Sequence, residues 1–515
     1  MSPKPFAIPG GIHPPGFKEL SNGEPIAPAP LPELLVLPLQ QHIGVPAEPV
    51  VRVGDRVLKG QVVAKPGGYV SVPVHASTSG RVVAIEERPV PHPSGLRAAC
   101  VVVEPDGEDA WGERVPLPDW QSVEPSRLRS AVRDAGIVGL GGAGFPTFIK
   151  LSPGPGKVVD TVIVNGAECE PYITSDDRLM RERPEEVVAG ARIVRHAVQA
   201  RRCVIGVEDN KPEAYEALRR AAGEGVEVEV VPTLYPTGGE KQLVRILTGR
   251  EVPSGKLPLD VGVVVQNVAT VAAVYRALER GEPLVSRVVT VTGPGVGHPR
   301  NLEVAIGTPV AHLLSQCDPR PARARALVMG GPMMGFALHD DAAPVVKTSN
   351  CVLVDVPTVP AEPALPCIRC GSCSRACPMS LLPQQMYWYA RAKDFDRARE
   401  YNLFDCIECG CCAYVCPSHI PLVQYFRFAK SEIVSLDRDR QRADLAKSRH
   451  ARRVERLEAE KREREERLQQ KKKAPAGAAP GAVSEDPKGA ATQAAVERAR
   501  AKQAAKAESD TEAGS

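Results

Sequence analysis

Two stretches of the sequence repeat one spacing of thiols. CIRCGSCSRACP sets Cys367, Cys370, Cys373 and Cys377 in the pattern C-x2-C-x2-C-x3-C-P, and CIECGCCAYVCP sets Cys406, Cys409, Cys412 and Cys416 in the same pattern. Three closely spaced thiolates wrap one face of a cubane, while the fourth opens a helix after a sharp turn and reaches the other cluster. The spacing therefore assigns Cys367, Cys370, Cys373 and Cys416 to one [4Fe–4S] cluster, and Cys406, Cys409, Cys412 and Cys377 to a second. A zinc ribbon would use two separated C-x2-C pairs around one tetrahedral ion, a poor match to two complete repeats that each end in proline. Cys411 disturbs nothing in the spacing and reads as a non-ligand. Cys100, Cys169, Cys203, Cys317 and Cys351 are isolated, and most are expected to be buried and inert. Cys169 is the exception to watch, because it lies in the loop NGAECEPY.

Iron–sulfur clusters pass one electron at a time, so the chain needs a supplier of single electrons. A nicotinamide gives a hydride, and a flavin accepts the hydride and releases its electrons singly. The stretch GLGGAGFPTFIK, Gly139 to Lys150, invites a nucleotide reading because Gly139, Gly141 and Gly144 spell G-x-G-x-x-G. That fingerprint must follow a strand. Here the preceding SRLRSAVRDA (Ser126 to Ala135) spaces Leu128, Val132 and Ala135 as a helix, so the Rossmann phosphate-loop reading fails.

The strands come later. VVDTVIVNG (Val158 to Gly166) is a continuous apolar run of the kind a buried parallel strand shows. A helix from Pro184 to Gln199, a strand from Arg202 to Asn210, a helix in KPEAYEALRRAAGEG and a strand from Val226 to Thr233 follow, and a further helix is expected over Gln266 to Gly281. This order predicts a parallel sheet, whose ligands bind beyond the carboxyl ends of the strands. NGAECEPY (Asn165 to Tyr172), Glu208–Asn210 and YPTGGEKQ (Tyr235 to Gln242) would then share one rim. The Gly139–Gly144 loop would have to fold over that rim to join a nucleotide site.

The remaining elements frame these two sites. At 515 residues the chain is too long for one core. Residues 1–115 are rich in Pro, Val and Gly, and Val51 to Glu86 reads as two similar arms of short strands, like the barrel-sandwich hybrid of biotinyl and lipoyl domains, with the motif over about 45–86. Lys65 is the nearby candidate for modification, but AKPGG matches neither modification motif, so an unmodified structural domain is expected. Residues 116–284 carry the α/β domain. Residues 285–345 suggest a small β-grasp-like unit in which GPGVG (Gly293 to Gly297) is a hairpin turn. Residues 358–429 hold the cysteine repeats, and the aromatic residues Tyr387, Trp388 and Tyr389 between them are expected to serve packing. Residues 430–515 read as a solvated charged helix followed by a disordered segment.

Residues 431–515 carry 20 basic and 16 acidic side chains, which leaves 45 and 46 in the rest of the chain. The body lacks the basic excess of a nucleic-acid footprint. No signal peptide and no membrane span are expected, since no run of about 18 apolar residues occurs. Fourteen cysteines in such a chain point to metal or redox chemistry rather than disulfides.

GLGGAGFPTFIK together with VNGAECEPYITSDDR resembles the NADH- and FMN-binding subunit of respiratory complex I. Resemblance to the C subunit of the Rnf (Rsx) electron transport complex is closer and covers nearly the whole body: GGIHPPGFKELS (Gly10 to Ser21), VGLGGAGFPTFIKL, VNGAECEPYIT, GGEKQL, GGPMMG and both cysteine repeats. The flavin subunit of complex I has one C-x2-C-x2-C motif, so the doubled motif argues against it. The resemblance implies a multidomain α/β and α+β chain. Its parts would be a barrel-sandwich-hybrid-like N-terminal domain, a Rossmann-like FMN/NADH domain, a β-grasp-like (SLBB-type) domain, a two-cluster ferredoxin-type domain and a charged tail.

It further implies non-covalent FMN, NADH as substrate, and a peripheral place on the cytoplasmic face of the bacterial inner membrane. There, other subunits of an ion-translocating complex would pass electrons to and from ferredoxin. Carried over by position, Gly141, Gly142 and Gly144 would let backbone approach flavin and nicotinamide, and Lys150 would offset phosphate charge. Asn165 would hydrogen-bond the flavin, Glu168 and Glu170 would contact flavin or nucleotide hydroxyls, and Asn267 would lie near the FMN phosphate. Gln266 and Ala269 depart from the complex I pattern Asn-Asn-Val-Glu-Thr. No catalytic residue is assigned beyond the flavin site. Two other readings are a cobalamin reductase of diol-degrading microcompartments, which shares this body, and a non-catalytic iron–sulfur adaptor.

Overall fold

The alternation of apolar strands and amphipathic helices between residues 161 and 279 yields a four-stranded sheet. In order across the sheet its strands are Glu227–Val231, Arg202–Glu208, Thr161–Gly166 and Val263–Asn267, all parallel. The computed structural model describes residues 5–154, 156–320, 326–354 and 363–473. Val162 and Val164 face one core, with the helices Pro184–Ala197 and Val268–Glu279, whereas Ile163 faces the other, with Leu243 and Ile246 of the helix Glu240–Thr248. Alternate side chains of one strand thus bury on opposite faces, which is why the run reads as continuously apolar. The fourth strand, Val263–Asn267, falls where the apolar pattern predicted a helix from Gln266. The helix starts two residues later, at Val268, because Asn267 caps it by accepting from the amides of Ala269 (2.9 Å) and Thr270 (3.4 Å).

The other layers pack around this sheet. Residues 35–105 form two small sheets, one of four strands and one of three. Lys65 lies in the strand Val62–Lys65 and pairs with Glu48 at 3.3 Å. Ser286–Thr292 and Arg300–Ala305 pair antiparallel across Gly293–Gly297, in a six-stranded sheet. That sheet also recruits Ala27–Pro28 and Cys351–Val354, from outside 285–345.

Lys347 pins three segments together. Fully buried, it donates from Nζ to the carbonyls of Pro73 (2.8 Å) and Gly136 (2.7 Å), and burial pushes its pKa down to about 7. The pin holds the segment Thr348–Asn350 in place.

In the cysteine module the short helices Ser372–Arg375 and Cys411–Tyr414 follow Gly371 and Gly410. Its core gathers Met386, Leu403, Phe426 and Ile433. A helix spans Leu422–Lys473; its residues up to Ser435 belong to the body, and from Leu436 on they form a separate unit whose described side chains are nearly all exposed. The segment expected to be disordered after this helix, residues 474–515, lies outside the described residues. No helix among the described residues is long and apolar enough to cross a membrane.

Candidate functional site

The carboxyl ends of the parallel strands open into a cavity of about 520 Å³, within the range of small-molecule sites. Its floor is Lys150, Asn165, Gly238, Glu240 and Asn267; its far wall is Glu170, Gly330, Gly331 and Thr348–Asn350. Gly139, Gly141, Gly142 and Ala143 cover it. The glycine loop is therefore a flap over the rim, and helices precede and follow it (Pro125–Asp134 and Thr147–Lys150). It closes on itself, with the Gly139 amide donating to the Phe145 carbonyl at 2.9 Å. It is tied to the capped helix by the Leu140 amide, which donates to Thr270 Oγ1 at 2.9 Å.

Most of the expected flavin residues meet here. Gly144 stands just behind the flap with φ +65, wedged against Thr348. Gly142, at φ +111, faces open space: a Cβ there would meet nothing within 4 Å. Lys150 Nζ donates to Glu240 Oε1 (2.6 Å) and to the Val265 carbonyl (3.0 Å). Asn165 donates to the Gly238 carbonyl at 2.8 Å, joining two of the three rim loops. Asn267 Nδ2 donates to Asp176 at 2.6 Å, and a Cβ on Gly141 would lie 3.3 Å from the Asn267 side chain. Glu170 Oε1 accepts from the amides of Met333 (2.7 Å) and Met334 (3.0 Å).

Glu168 is placed differently. With φ 47 it turns out of the cavity, and its carboxylate accepts from the amides of Asp176 (2.7 Å) and Asp177 (3.2 Å), in the first turn of the helix Ser175–Glu182. The Glu208–Asn210 loop also stands behind the rim, joined to it through buried Lys211, whose Nζ donates to the Ala167 carbonyl at 2.7 Å and to Glu208 at 3.1 Å.

Burial raises the carboxyls of Glu168 (to about 8), Glu170, Asp176 and Glu208, so acids in and behind the rim ionise less readily than in water. Cys169 is packed against Gly238 and lies outside the cavity lining; burial pushes its thiol up to about 12. Cys100, Cys203, Cys317 and Cys351 are buried.

Two contributors are not evident from the sequence. Gln266, noted only as a departure from a pattern, lines the cavity, and its buried Nε2 has no hydrogen-bond partner. A buried donor left open beside a cavity fits a ligand acceptor. Lys18 is the second. Its Nζ donates to three carbonyls of the rim loop, those of Glu168 (2.7 Å), Glu170 (2.8 Å) and Ile173 (2.6 Å). Nothing local in GFKELS signals that role. Replacing Lys18 by Met leaves those carbonyls unmatched. A loss of about 3 kcal/mol in local stability is expected, which would read out as roughly 100-fold faster amide exchange over Asn165–Thr174.

The cysteines gather into two sets. Cys367, Cys370, Cys373 and Cys416 line a pocket of about 330 Å³ together with Tyr387 and Trp388. Cys377, Cys406, Cys409 and Cys412 line a second, narrower one. Each set takes its fourth thiol from the other repeat. Cys411 lines neither pocket; its Sγ points to the Tyr235 carbonyl at 3.9 Å. Tyr387 is buried and packs edge-on against Tyr425, with ring centroids 4.9 Å apart. Each set offers four thiols and no imidazole, and the one carboxylate beside them, Glu408 at the second pocket, is taken up by Arg427 and Lys430, which leaves a soft donor set suited to iron–sulfur clusters. Among the described residues no three such groups converge on a single ion, and a cubane asks each thiolate for a different iron.

Four parts of the chain match known family models. Residues 6–108 match the RnfC barrel sandwich hybrid domain, 132–276 the Nuo51 FMN-binding domain, 288–337 the SLBB domain and 366–420 a 4Fe-4S dicluster domain. The chain resembles the NAD+-reducing [NiFe]-hydrogenase in its H2-reduced state at a TM-score of 0.43 and 21% identity, over 60% of this chain and 63% of that one.

Among curated relatives, the C subunit of the ion-translocating oxidoreductase complex of Edwardsiella ictaluri is 50% identical over 461 residues, covering 88% of this chain and 57% of that protein. Its counterpart in Serratia proteamaculans is 50% identical, covering 88% and 65%. The chain thus spans less than two thirds of the length of these two relatives. The counterpart in Yersinia pestis bv. Antiqua is 51% identical, covering 88% of this chain and 73% of that protein. At this identity over most of both proteins, the chain belongs to the RnfC family, the C subunits of ion-translocating oxidoreductase complexes.

Proposed function

We propose that the chain oxidises NADH as the FMN- and two-cluster-bearing peripheral subunit of a membrane-bound Rnf-type complex. That complex would exchange electrons between NADH and ferredoxin, coupled to ion translocation, with this subunit on the cytoplasmic face beside its other subunits. The observation that carries the reading is a flap-covered cavity and two four-cysteine pockets within one folded body. FMN, when bound, would supply the conversion of a two-electron hydride into single electrons.

The chain's own residues supply the rest. The glycines of the flap admit a planar ligand against backbone. The start of the helix Val268–Glu279, with Lys150 nearby, offers a positive end for phosphate. Gln266 offers its open donor, and Asn165 holds two rim loops at a fixed spacing. Glu170 shapes the wall on the side of the cysteine module. Glu168 supports the rim from behind. Cys367, Cys370, Cys373 and Cys416 would hold one cluster, and Cys377, Cys406, Cys409 and Cys412 the other. Membership in the RnfC family favours this reading over the corrinoid reductase and the adaptor.

The test is anaerobic. Adding NADH to purified protein should bleach the flavin absorbance and develop cluster EPR signals. Protein that holds flavin and both clusters yet leaves NADH unoxidised would sink the proposal.

A further inference from the structure

Contacts between the cysteine module and the cavity-bearing domain concentrate around the second cysteine pocket. The Tyr235 hydroxyl donates to the Cys409 carbonyl at 2.7 Å. Tyr235 is only 3% exposed, and its ring packs with Ile12, Ala376 and Cys411. The Gly11 amide donates to the Ala376 carbonyl at 3.0 Å. A Cβ on Gly10, whose φ is +59, would stand 2.6 Å from the Cys377 backbone. The first pocket has the opposite character: Cys370 and Ile368 beside it are exposed.

Tyr235 stands near the cavity wall, close enough for the Glu170 carboxylate that lines it to act on the phenol electrostatically. A second arm runs in parallel. Glu170 holds the Met333 amide, and the Met333 Cε lies 3.3 Å from where a Cβ on Gly410 would be. Tyr235 and Met333 thus both meet the Cys409–Gly410 stretch from the side of the cavity.

A hydrogen bond made in so dry a place keeps most of its electrostatic strength. Donation to the Cys409 carbonyl draws electron density out of that peptide and sets the positive end of an O–H dipole beside a thiolate ligand. Hydrogen bonding and solvent exclusion around the ligands are what set a cluster's reduction potential.

We infer that Tyr235 is a positioning residue for the second cysteine site: its hydroxyl locks Cys409 to the cavity rim and raises the reduction potential of the cluster held there. The inference rests on the proposed cluster assignment and goes beyond it in naming what tunes one cluster and not the other. The role differs from packing, because a phenylalanine ring would pack equally well.

The experiment is an EPR-monitored redox titration of the full chain with mediators and dithionite, without NADH. Tyr235→Phe should lower the midpoint of one cluster, with about a tenfold change in its oxidised-to-reduced ratio at fixed potential, or ~59 mV for a one-electron couple. The other cluster should not move. Two amides donate to the Glu170 carboxylate and favour its charged form, so Glu170→Gln removes a negative charge on the same side and should shift the same cluster upward. Selective loss of that one cluster in Tyr235→Phe would also support the inference. Both clusters at unchanged midpoints would overturn it. Should Tyr235→Phe lose both clusters, Glu170→Gln decides, and an unshifted titration there overturns it too. An unsubstituted chain that holds a single cluster would overturn this inference together with the functional reading, whereas two clusters in a chain that ignores NADH would sink only the latter.

Discussion

Gly144→Val is expected to lower NADH oxidation about 100-fold, the scale of loss that a displacement of about 1 Å in a positioned site produces, while both clusters remain. Gly144 has φ +65, a conformation that a β-branched residue adopts only under strain. A Cβ there would lie 2.5 Å from Thr348 Cγ2 and 3.6 Å from the His42 Cα. Neither neighbour can yield freely. Thr348 follows the pinned Lys347, and the Ile43 amide donates to the Gly144 carbonyl at 3.1 Å. The flap must therefore move, and with it the cover of the cavity. Neither cysteine pocket is lined by any residue of the flap. The measurement compares NADH oxidation, flavin content and iron content in one preparation. An unaffected rate removes the flap from the site.

Single cysteine replacements are expected to pair across the two repeats rather than within them. Cys416→Ala should match Cys370→Ala, and Cys377→Ala should match Cys409→Ala. Each should fall from about eight to about four iron atoms per chain. Within a matched pair, the residual EPR and Mössbauer spectra should be the same; between pairs they should differ. The grouping follows the pocket linings, where Cys416 joins Cys367, Cys370 and Cys373 although it lies in the other repeat. Spectra that pair Cys416→Ala with Cys409→Ala would overturn the assignment, and Cys411→Ala, which touches neither pocket lining, should retain both clusters.

The two sites differed in how far the sequence exposed them. The thiol sets were legible because cluster geometry fixes spacing within each repeat and the turn after each third cysteine fixes the exchange between repeats. The rim was legible for a different reason: three apolar strands joined by helices imply a parallel sheet, and a parallel sheet puts its loops at one end. The fourth strand was obscured because Val263–Asn267 runs straight into an apolar helix, and the boundary is marked only by the capping Asn267.

Glu168 and Glu170 look alike in NGAECE. One left-handed backbone angle at Glu168 sends its carboxylate behind the rim while Glu170 faces the cavity. Lys18, Gln266 and Tyr235 were hidden more deeply. Lys18 and Tyr235 act on segments distant in sequence, Gln266 leaves a donor open in the cavity, and neither composition nor periodicity records what a buried side chain will meet.

The segment from Phe6 to Lys18 has a consequence for the order of folding. Phe6 bonds the carbonyl of Ile246, Gly11 that of Ala376, and Ile12 pairs with Tyr235, while Lys18 closes the rim loop. These partners lie in two domains made later, one of them near the end of the folded body. During synthesis this segment emerges early, finds its partners in the flavin domain first, and completes its contacts only when the cysteine module follows. The union of flavin domain and cluster module is therefore a late, high-contact-order event. Until it happens, Ile12, Tyr235 and the Cys409 carbonyl stay open to water, and a chain stalled before the module would expose an apolar seam where the finished protein has its driest contact.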